Sequence, residues 1–299
     1  MMDIRQYLKE KKERIDVALE SYLPKREDLT ANLHKAMQHS LFAGGKRIRP
    51  ILSIASFEAV GGTGEKILPF ACALEMIHTY SLIHDDLPAI DDDDYRRGKP
   101  TCHKVFGEAI ALLAGDGLLT EAFRLMTVRP EKARSLTDDA LLLDLINEVG
   151  LAAGVLGMVG GQVVDVESEG KAVNLPTVQY IHTHKTGAMI LASVRVGARL
   201  AGPSEASLRA LTRYGESLGL AFQVADDVLN VEGKAALMGK STGSDLFKGK
   251  ATYPSVLGVE ESKRRAKELV EMAVDTLKEF GPEADPLREM ARFVIAREY

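Results

Sequence analysis

Apolar residues recur every three or four positions along nearly the whole chain, which is the spacing of one face of an α-helix. Alternating apolar and polar residues, which would indicate strands, are scarce. Glycine and glycine–proline pairs interrupt the helical pattern where turns are expected. The pattern predicts helices at about 3–22, 28–42, 47–60, 65–86, 107–127, 137–148, 150–168, 176–201, 205–232, 253–280 and 285–297.

Three of these stretches, 107–119, 149–164 and 186–200, are apolar on almost every face, so other helices must surround them. The longest uncharged stretch, 149–164, contains Gln162 and falls short of the roughly 20 apolar residues that a membrane span needs. No change of composition marks a linker. The sequence therefore predicts an all-α helical bundle, with residues 1–299 forming a single domain and no membrane span.

Charge and cysteine content narrow the class of protein. The 299 residues carry a formal net charge of −5, which argues against a nucleic-acid partner. Cys72 and Cys102 cannot build a disulfide framework, and the charged N-terminal segment is unlike a signal peptide. A cytoplasmic location is expected. Any anionic substrate must be held by local clusters of Lys and Arg.

The first acidic motif runs from Asp85-Asp86 to Asp91 and ends an apolar stretch. Helical geometry places His78, Leu82 and Asp85 on one face. A helix C-terminus disfavours negative charge, so capping does not explain these carboxylates. A hard divalent cation such as Mg²⁺ would neutralise them.

The second acidic motif places Gln223, Asp226, Asp227 and Asn230 on one polar stripe of a helix. Carboxylates on helices that face a core are costly unless something neutralises them. Mg²⁺ typically takes a few carboxylates together with phosphate oxygens of the substrate. The two motifs together predict a metal–diphosphate site.

Basic residues accompany both motifs, as a diphosphate would require. They lie at the start of a predicted helix, directly after the first motif, at the start of a second apolar helix and in a glycine-rich loop. These residues are Lys46, Arg47, Arg49, Arg96, Arg97, Lys185, Lys240 and Lys250.

Three short motifs indicate other chemistry only weakly. Residues 215–219 match a nucleophile elbow, but every histidine precedes them. Residues 233–241 resemble a phosphate loop with one residue too many. His182 and His184 lack a partner at zinc-ligand spacing, so they are expected on a helix surface.

The chain resembles the trans-type isoprenyl diphosphate synthases, most closely the bacterial farnesyl diphosphate synthases. The resemblance rests on GGKRIRP at 44–50, the segment 75–101 around the first acidic motif, GQ at 161–162, HKTG at 184–187, FQVADDVLN at 222–230 and GKATYP at 249–254. It implies an all-α bundle around a deep central cavity, a homodimer, and three Mg²⁺ ions per active site, for which Mn²⁺ would substitute.

The resemblance also implies a role for each matching residue. Asp85, Asp86, Asp91 and Asp226 would hold Mg²⁺, with Asp227 as a further candidate. The allylic diphosphate would contact Arg96, Lys185, Lys240 and Lys250, and isopentenyl diphosphate would contact Lys46, Arg49, His78 and Arg97. Thr186 and Gln223 would line the reacting carbons.

Product length depends on the depth of the cavity. Tyr80 lies five residues before Asp85, about 7.5 Å deeper at ~1.5 Å per residue, and the neighbouring Ser81 is too small to block. In the family, an aromatic residue there together with the longer first motif implies a C15 product. The expected reaction joins isopentenyl diphosphate to dimethylallyl and geranyl diphosphate, giving (E,E)-farnesyl diphosphate and pyrophosphate by ionisation, condensation and elimination.

Four alternatives stay open. Asn230 stands where many relatives have Asp, and it also occurs in geranylgeranyl-producing relatives, so a C20 product is an alternative, as is a C10 product. A terpene cyclase would share the fold and the first motif but carries a different second motif. A regulatory subunit of a heteromeric synthase would typically have lost the acidic motifs.

The three further acidic residues after the first motif, Asp92, Asp93 and Asp94, have no assigned role.

Overall fold

The computed structural model describes residues 2–24, 28–128, 138–232 and 250–296. Its helices, in chain order, are α1 (Ile4–Tyr22), α2 (Ala31–Leu41), α3 (Ile48–Ala59), α4 (Leu68–Asp85), α5 (Cys102–Phe106), α6 (Glu108–Met126), α7 (Asp139–Ala153), α8 (Met158–Ser168), α9 (Leu175–Ile181), α10 (Ala188–Ala201), α11 (Glu205–Glu232), α12 (Tyr253–Leu257), α13 (Val259–Thr276) and α14 (Asp285–Ala296). A π-helical turn, His182–Gly187, joins α9 to α10, a 3₁₀ turn spans Pro282–Ala284, and the strands are β1 (Tyr95–Arg96) and β2 (Lys99–Pro100).

Helix α4 occupies the middle of the bundle, because it is buried on nearly every face from Leu68 to Ile83. Helices α3 and α6 pack against α4, α10 packs against α3 and α11, and α13 packs against α11. Buried apolar side chains from α1 to α14 form one continuous cluster. The all-α fold is confirmed, while the single domain over 1–299 stays a prediction.

Polar side chains cap several helix starts. The Asp3 carboxylate accepts hydrogen bonds from the backbone N–H groups of Arg5 and Gln6 at the start of α1. Thr252 and Ser255 form a reciprocal capping box at the start of α12. This last cap matters for the site, since α12 follows directly on the segment that carries Lys250.

The structure differs from the predicted helices at several places, one of which is the short helix α5, which was not predicted. A turn after Ala153 separates α7 from α8, later than predicted, and Gly258 interrupts the predicted helix 253–280. The predicted helix 176–201 contains the π-helical turn. The hairpin was not predicted because each strand has two residues, too few for alternation. Its turn residues, Arg97 and Gly98, both have positive φ, as the favoured two-residue hairpin turn requires.

Two features of the chain bear on membranes and redox state. Residues Asp139–Ser168 are long and apolar enough to cross a membrane by length and composition, although core helices share that property. The turn between α7 and α8 lies within this stretch. Cys72 and Cys102 are buried free thiols. The cytoplasmic location stays a prediction.

Helices α3 and α10 approach so closely that Gly197 has no room for a side chain. A Cβ atom at this position would overlap the carbonyl oxygen of Ser53, which is backbone and cannot turn away. Gly117 on α6 is different, since a Cβ there would lie 3.4 Å from the flexible Met37 side chain.

We expect Gly197→Ala to lower the free energy of unfolding by about 1–3 kcal/mol, because the two helices must move apart. Gly117→Ala is the matched control, and it should leave stability unchanged or raise it by up to about 1 kcal/mol through helix propensity. Urea unfolding followed by circular dichroism measures both. Equal stability of the two variants would contradict the close approach.

Candidate active site

The first acidic motif forms the end of α4 and a turn that folds back on it. Asp85 is the last residue of α4, and the backbone N–H of Asp91 donates a 2.8 Å hydrogen bond to the Asp85 carbonyl oxygen. Burial and the neighbouring Asp91 carboxylate raise the pKa of Asp85, while Lys185, Arg96 and Lys250 lower it. The turn therefore brings two carboxylates together within reach of cations from three parts of the chain.

Asp86 points elsewhere and is almost completely buried. The Arg96 Nε atom lies 2.8 and 2.9 Å from its two carboxylate oxygens, and a guanidinium nitrogen completes the pair at 2.5 Å. Asp86 thus fixes the hairpin that carries Arg96 and Arg97. This carboxylate is already held by a guanidinium in the structure.

Two lysines expected to bind the allylic diphosphate form ion pairs. The Lys250 Nζ atom lies 2.9 Å from Asp91, and the Lys185 Nζ atom lies 2.6 Å from Asp165 on α8. Sequence reasoning missed Asp165, although it follows Gln162 by three residues at the end of an uncharged stretch. Gly161 lets α8 approach the π-helical turn, since a Cβ there would overlap the backbone of Lys185.

A cationic pocket of about 560 Å³ lies at the start of α3 and beside α4. Its lining includes Lys46, Arg47, Arg49, Glu75, His78 and Arg97. Sequence reasoning missed Glu75, which lies in the middle of the apolar stretch that forms α4. The pocket brings together the four residues expected to bind isopentenyl diphosphate.

Arg47 has a structural part in this pocket. Its backbone has a positive φ, in the left-handed region. Its buried guanidinium donates hydrogen bonds to Asp16 and Glu75, each at 2.8 Å, and to the Leu41 carbonyl oxygen at 2.7 Å. One guanidinium thus joins the start of α3 to the middle of α1, the middle of α4 and the end of α2. Its charge is already compensated within the protein.

Arg49 and His78 face the interior of the pocket. The buried Nε atom of Arg49 has no hydrogen-bond partner in the described structure, and burial with the nearby Arg97 lowers the pKa of Arg49 to about 10. Burial and the same arginines hold the pKa of His78 well below its usual range, so its ring is neutral at pH 7. A buried donor beside several cations favours an anionic ligand.

The second acidic motif divides between solvent and interior. Asp226 is exposed, whereas the neighbouring Asp227 is buried. Gln223 joins Asp227 to Thr186, because its Nε2 atom lies 3.0 Å from Asp227 and its Oε1 atom accepts a 2.9 Å hydrogen bond from Thr186. All four residues of the predicted stripe lie on α11. Its two carboxylates have different surroundings.

A second cavity, of about 300 Å³, runs from Asp85 towards α8. Asp85, Lys185 and Thr186 line it, together with His78 and Leu82, which were predicted to share a helix face with Asp85. Tyr80 and Ser81 also line it, and α8 supplies Met158, Val159, Gln162 and Val163, which sequence reasoning missed. Arg49 and His78 border both cavities, so the two adjoin.

Comparison with known proteins decides the family. The polyprenyl synthetase family model matches residues 30–282. The chain belongs to the polyprenyl synthetase family.

Relatives of this family match over nearly the full length. A farnesyl diphosphate synthase of Geobacillus stearothermophilus is 46% identical, covering 100% of this chain and 99% of its own. A geranylgeranyl diphosphate synthase of Cyanophora paradoxa is 47% identical over 97% of this chain and 95% of its own. The apo crystal structure of an FPP/GFPP synthase from Zymomonas mobilis superposes with a TM-score of 0.85 at 37% identity, covering 98% of each chain. The chain is a trans-prenyltransferase.

The acidic side chains suit a metal ion that is shared with substrate. Among the described residues, no three acidic, histidine or cysteine side chains form a ready-made metal cage. Mg²⁺ usually binds through one or two carboxylates and completes its octahedron with water and phosphate oxygens. Asp85 and Asp91, which lie close enough to raise the Asp85 pKa, fit that donor set. Lys240 lies outside the described residues.

Removing the Asp85 carboxylate tests the acidic site. We expect Asp85→Ala to reduce prenyl transfer by at least about 10²-fold, the scale of losing one preorganised electrostatic group. Stability should not fall, because a raised pKa means that the ionised carboxylate opposes folding at neutral pH.

The control is Asp94→Ala, which removes an exposed carboxylate that pairs with Lys104 at 2.6 Å. Turnover by both variants is measured with the same prenyl substrates, and unfolding by circular dichroism. Near-normal turnover by Asp85→Ala would contradict the assignment.

Proposed function

We propose that the chain condenses isopentenyl diphosphate first with dimethylallyl diphosphate and then with geranyl diphosphate, giving (E,E)-farnesyl diphosphate and pyrophosphate. Mg²⁺ is the proposed cofactor. The observation that carries this proposal is the pair of adjoining cavities. One has the lining of an anion site, and the other has charge at one end and apolar walls beyond it.

The cationic pocket is the proposed site for isopentenyl diphosphate. Its cations do not need a metal to attract a diphosphate, since Lys46, Arg49 and Arg97 supply the charge. The neutral His78 ring adds a hydrogen bond. This pocket also argues against a terpene cyclase, which has no use for a second diphosphate.

The second cavity is the proposed site for the allylic substrate. Its diphosphate lies near Asp85, Asp91, Arg96 and Lys185, and its hydrocarbon tail points towards Tyr80. Bound Mg²⁺ would neutralise charge that develops on the departing diphosphate. Arg96, Lys185 and Lys250 surround Asp85 closely enough to lower its pKa, and they stabilise the same developing charge.

Ionisation of the allylic C–O bond leaves a carbocation next to the π-helical turn. The carbonyl end of the Gln223 amide points towards Thr186, so it offers a partial negative charge on the side where the cation forms. Apolar walls exclude water that would trap the cation. The isopentenyl double bond attacks the cation, and loss of a proton, which we assign to the released pyrophosphate, regenerates an allylic diphosphate.

We refer to the second cavity as the tail cavity, because we propose that it holds the hydrocarbon tail of the allylic substrate. The wall of this cavity limits product length. Tyr80 is almost fully buried, and its ring lies edge-on to His84, with ring centroids 5.6 Å apart. Gly115 on α6 leaves room for His84, since a Cβ there would overlap the imidazole. Two aromatic rings therefore close one side of the cavity, which supports a C15 product.

We expect Tyr80→Ala to lengthen the product, because it removes a ring from the cavity wall. Mass spectrometry of the dephosphorylated products measures chain length. Ser81→Ala is the matched control on the next residue, and it should leave the product unchanged. An unchanged product in Tyr80→Ala would place the limit of the cavity elsewhere, for which the α8 side chains are the next candidates.

Product analysis tests the proposed function itself. Purified protein is incubated with dimethylallyl diphosphate, isopentenyl diphosphate and Mg²⁺, and the products are treated with phosphatase. The proposal expects a C15 alcohol and no product when EDTA is present. A C20 alcohol would favour the geranylgeranyl alternative, which Asn230 and the names of several relatives keep open. No product would leave the regulatory-subunit alternative, although both acidic motifs are present.

We also propose that two copies associate through helices α6, α7 and α8. These helices expose many large apolar side chains, more than a monomer usually leaves in contact with water. The exposed residues are Leu112 and Leu113 on α6, Leu143 and Leu151 on α7, Val155 and Leu156 in the turn between α7 and α8, and Val166 on α8, whereas the partly exposed Val159 and Val163 of α8 also line the second cavity. A second copy would cover this surface and the outer side of the α8 wall.

Light scattering coupled to size exclusion tests this association. We expect Leu113→Glu combined with Val155→Glu to convert dimers to monomers, since both residues are more than half exposed. Leu29→Glu is the control, because Leu29 is fully exposed outside these helices. A wild-type protein that elutes as a monomer would contradict the proposal.

A further inference from the structure

Asp227 lies at the centre of a buried hydrogen-bond cluster that joins three segments of the chain. It is 3% exposed. Its Oδ1 atom accepts a 3.0 Å hydrogen bond from Gln223 Nε2, and its Oδ2 atom accepts a 2.9 Å hydrogen bond from the backbone N–H of Tyr253. Both carboxylate oxygens are therefore engaged by protein donors, and the side chain is buried, unlike that of the exposed Asp226.

His182 completes the cluster from the π-helical turn. Its Nε2 atom lies 3.3 Å from Asp227 Oδ2, and its ring stacks on Tyr253 with centroids 5.2 Å apart. Contrary to the sequence prediction of a surface histidine, His182 is buried. Burial lowers the pKa of His182 to about 3, so the ring is neutral at pH 7. A neutral ring protonated on Nε2 suits a carboxylate partner.

The cluster determines which way the Gln223 amide faces. A carboxylate can only accept hydrogen bonds, so the NH₂ group of Gln223 must face Asp227. The Gln223 carbonyl oxygen then faces Thr186, from which it accepts a 2.9 Å hydrogen bond. Thr186 lines the tail cavity. Exchanging the two ends of the amide would place a partial positive charge there.

We propose that Asp227 is a positioning residue that holds the Gln223 carbonyl oxygen towards Thr186 and the reacting allylic carbons, and that it is not a metal ligand. The inference rests on the proposed function, because it concerns the carbocation of that reaction. Asp227 acts through Gln223 and touches neither substrate nor metal. The sequence prediction of Asp227 as a further metal candidate is replaced by this role.

The cluster also secures the segment that carries Lys250. Tyr253 begins α12, and Lys250 lies three residues before it, with its Nζ atom 2.9 Å from Asp91. The bond from the Tyr253 N–H to Asp227 thus fixes the base of a segment that reaches the first acidic motif. An asparagine in place of Asp227 can keep this bond through its carbonyl oxygen.

Asp227→Asn is the first variant to test. With its carbonyl on the Tyr253 N–H, the introduced asparagine presents NH₂ to Gln223, whose amide must turn over to accept from it. We expect kcat to fall by about 10²-fold, the scale of one misdirected electrostatic group. The Mg²⁺ concentration for half-maximal rate and the KM for isopentenyl diphosphate should stay within about twofold. Asp226→Asn is the matched control, and it should raise the Mg²⁺ requirement.

A second substitution provides a rescue. In the double variant Gln223→Glu with Asp227→Asn, the introduced glutamate accepts both from Thr186 and from the NH₂ group of the introduced asparagine. The formal charge of the pair is conserved, and an oxygen again faces Thr186. We expect the double variant to recover kcat by at least about tenfold over Asp227→Asn. Gln223→Glu alone should be worse than either, because it sets two carboxylates against each other.

The outcomes are distinguishable. A raised Mg²⁺ requirement in Asp227→Asn would show a metal ligand and overturn the inference, as would an unchanged kcat. A double variant no faster than Asp227→Asn would also overturn it. If Asp227→Asn does not fold, kcat of Gln223→Glu is compared with kcat of the double variant. The inference then expects the double variant to be faster, because its asparagine donates a hydrogen bond to the introduced glutamate. Wild-type protein assayed in parallel separates the two claims, since only failure of the proposed function would leave wild type without product.

Discussion

The site depends on gathering cationic side chains around one cavity of an apolar bundle. Four cationic residues, Lys46, Arg47, Arg49 and Arg97, line the first cavity, together with Glu75 as its acidic residue. Arg47 is compensated by Glu75 and Asp16. The buried Nε atom of Arg49 has no hydrogen-bond partner in the described structure, and an anionic ligand would offset the cost of burying that charge. The lining of this cavity between α3 and α4 therefore suits an anionic ligand, for which we propose a diphosphate.

At the second cavity the charges that need compensation are negative. Asp85 and Asp91 lie close together at the end of α4, where the helix dipole does not favour them. Cations at Arg96, Lys185 and Lys250 offset part of this repulsion. We propose that Mg²⁺ and the allylic diphosphate supply the rest. Placing the two sites side by side brings a departing diphosphate next to the double bond that will be alkylated.

Much of this arrangement could be predicted from the sequence. The helical pattern predicted the bundle and placed His78 and Asp85 on one helix face, and both residues border the second cavity. Buried partners were harder to predict, because Glu75 and Asp165 lie in apolar stretches that look like ordinary core. The burial of Asp227 was hard to predict for a related reason. Helical spacing puts it beside Asp226, and only packing against α12 and the π-helical turn shows that it faces inward.

Close backbone approaches also escaped the sequence pattern. Gly161 belongs to a motif shared with the family, yet its physical role is evident only from the contact between α8 and Lys185. The π-helical turn has only six residues, too few to change the apolar periodicity of the helices on either side. Such features depend on long-range packing, whereas the pattern of apolar residues records mainly local structure.

Binding measurements without turnover test the central claim that one diphosphate site is cationic by itself and the other needs a metal. Calorimetry would compare isopentenyl diphosphate with an allylic diphosphate whose bridging oxygen is replaced by sulfur, each with Mg²⁺ and with EDTA. The account predicts that isopentenyl diphosphate binds in both conditions and that the allylic analogue binds only with Mg²⁺. Tight binding of the allylic analogue in EDTA, or a metal requirement for isopentenyl diphosphate, would contradict it.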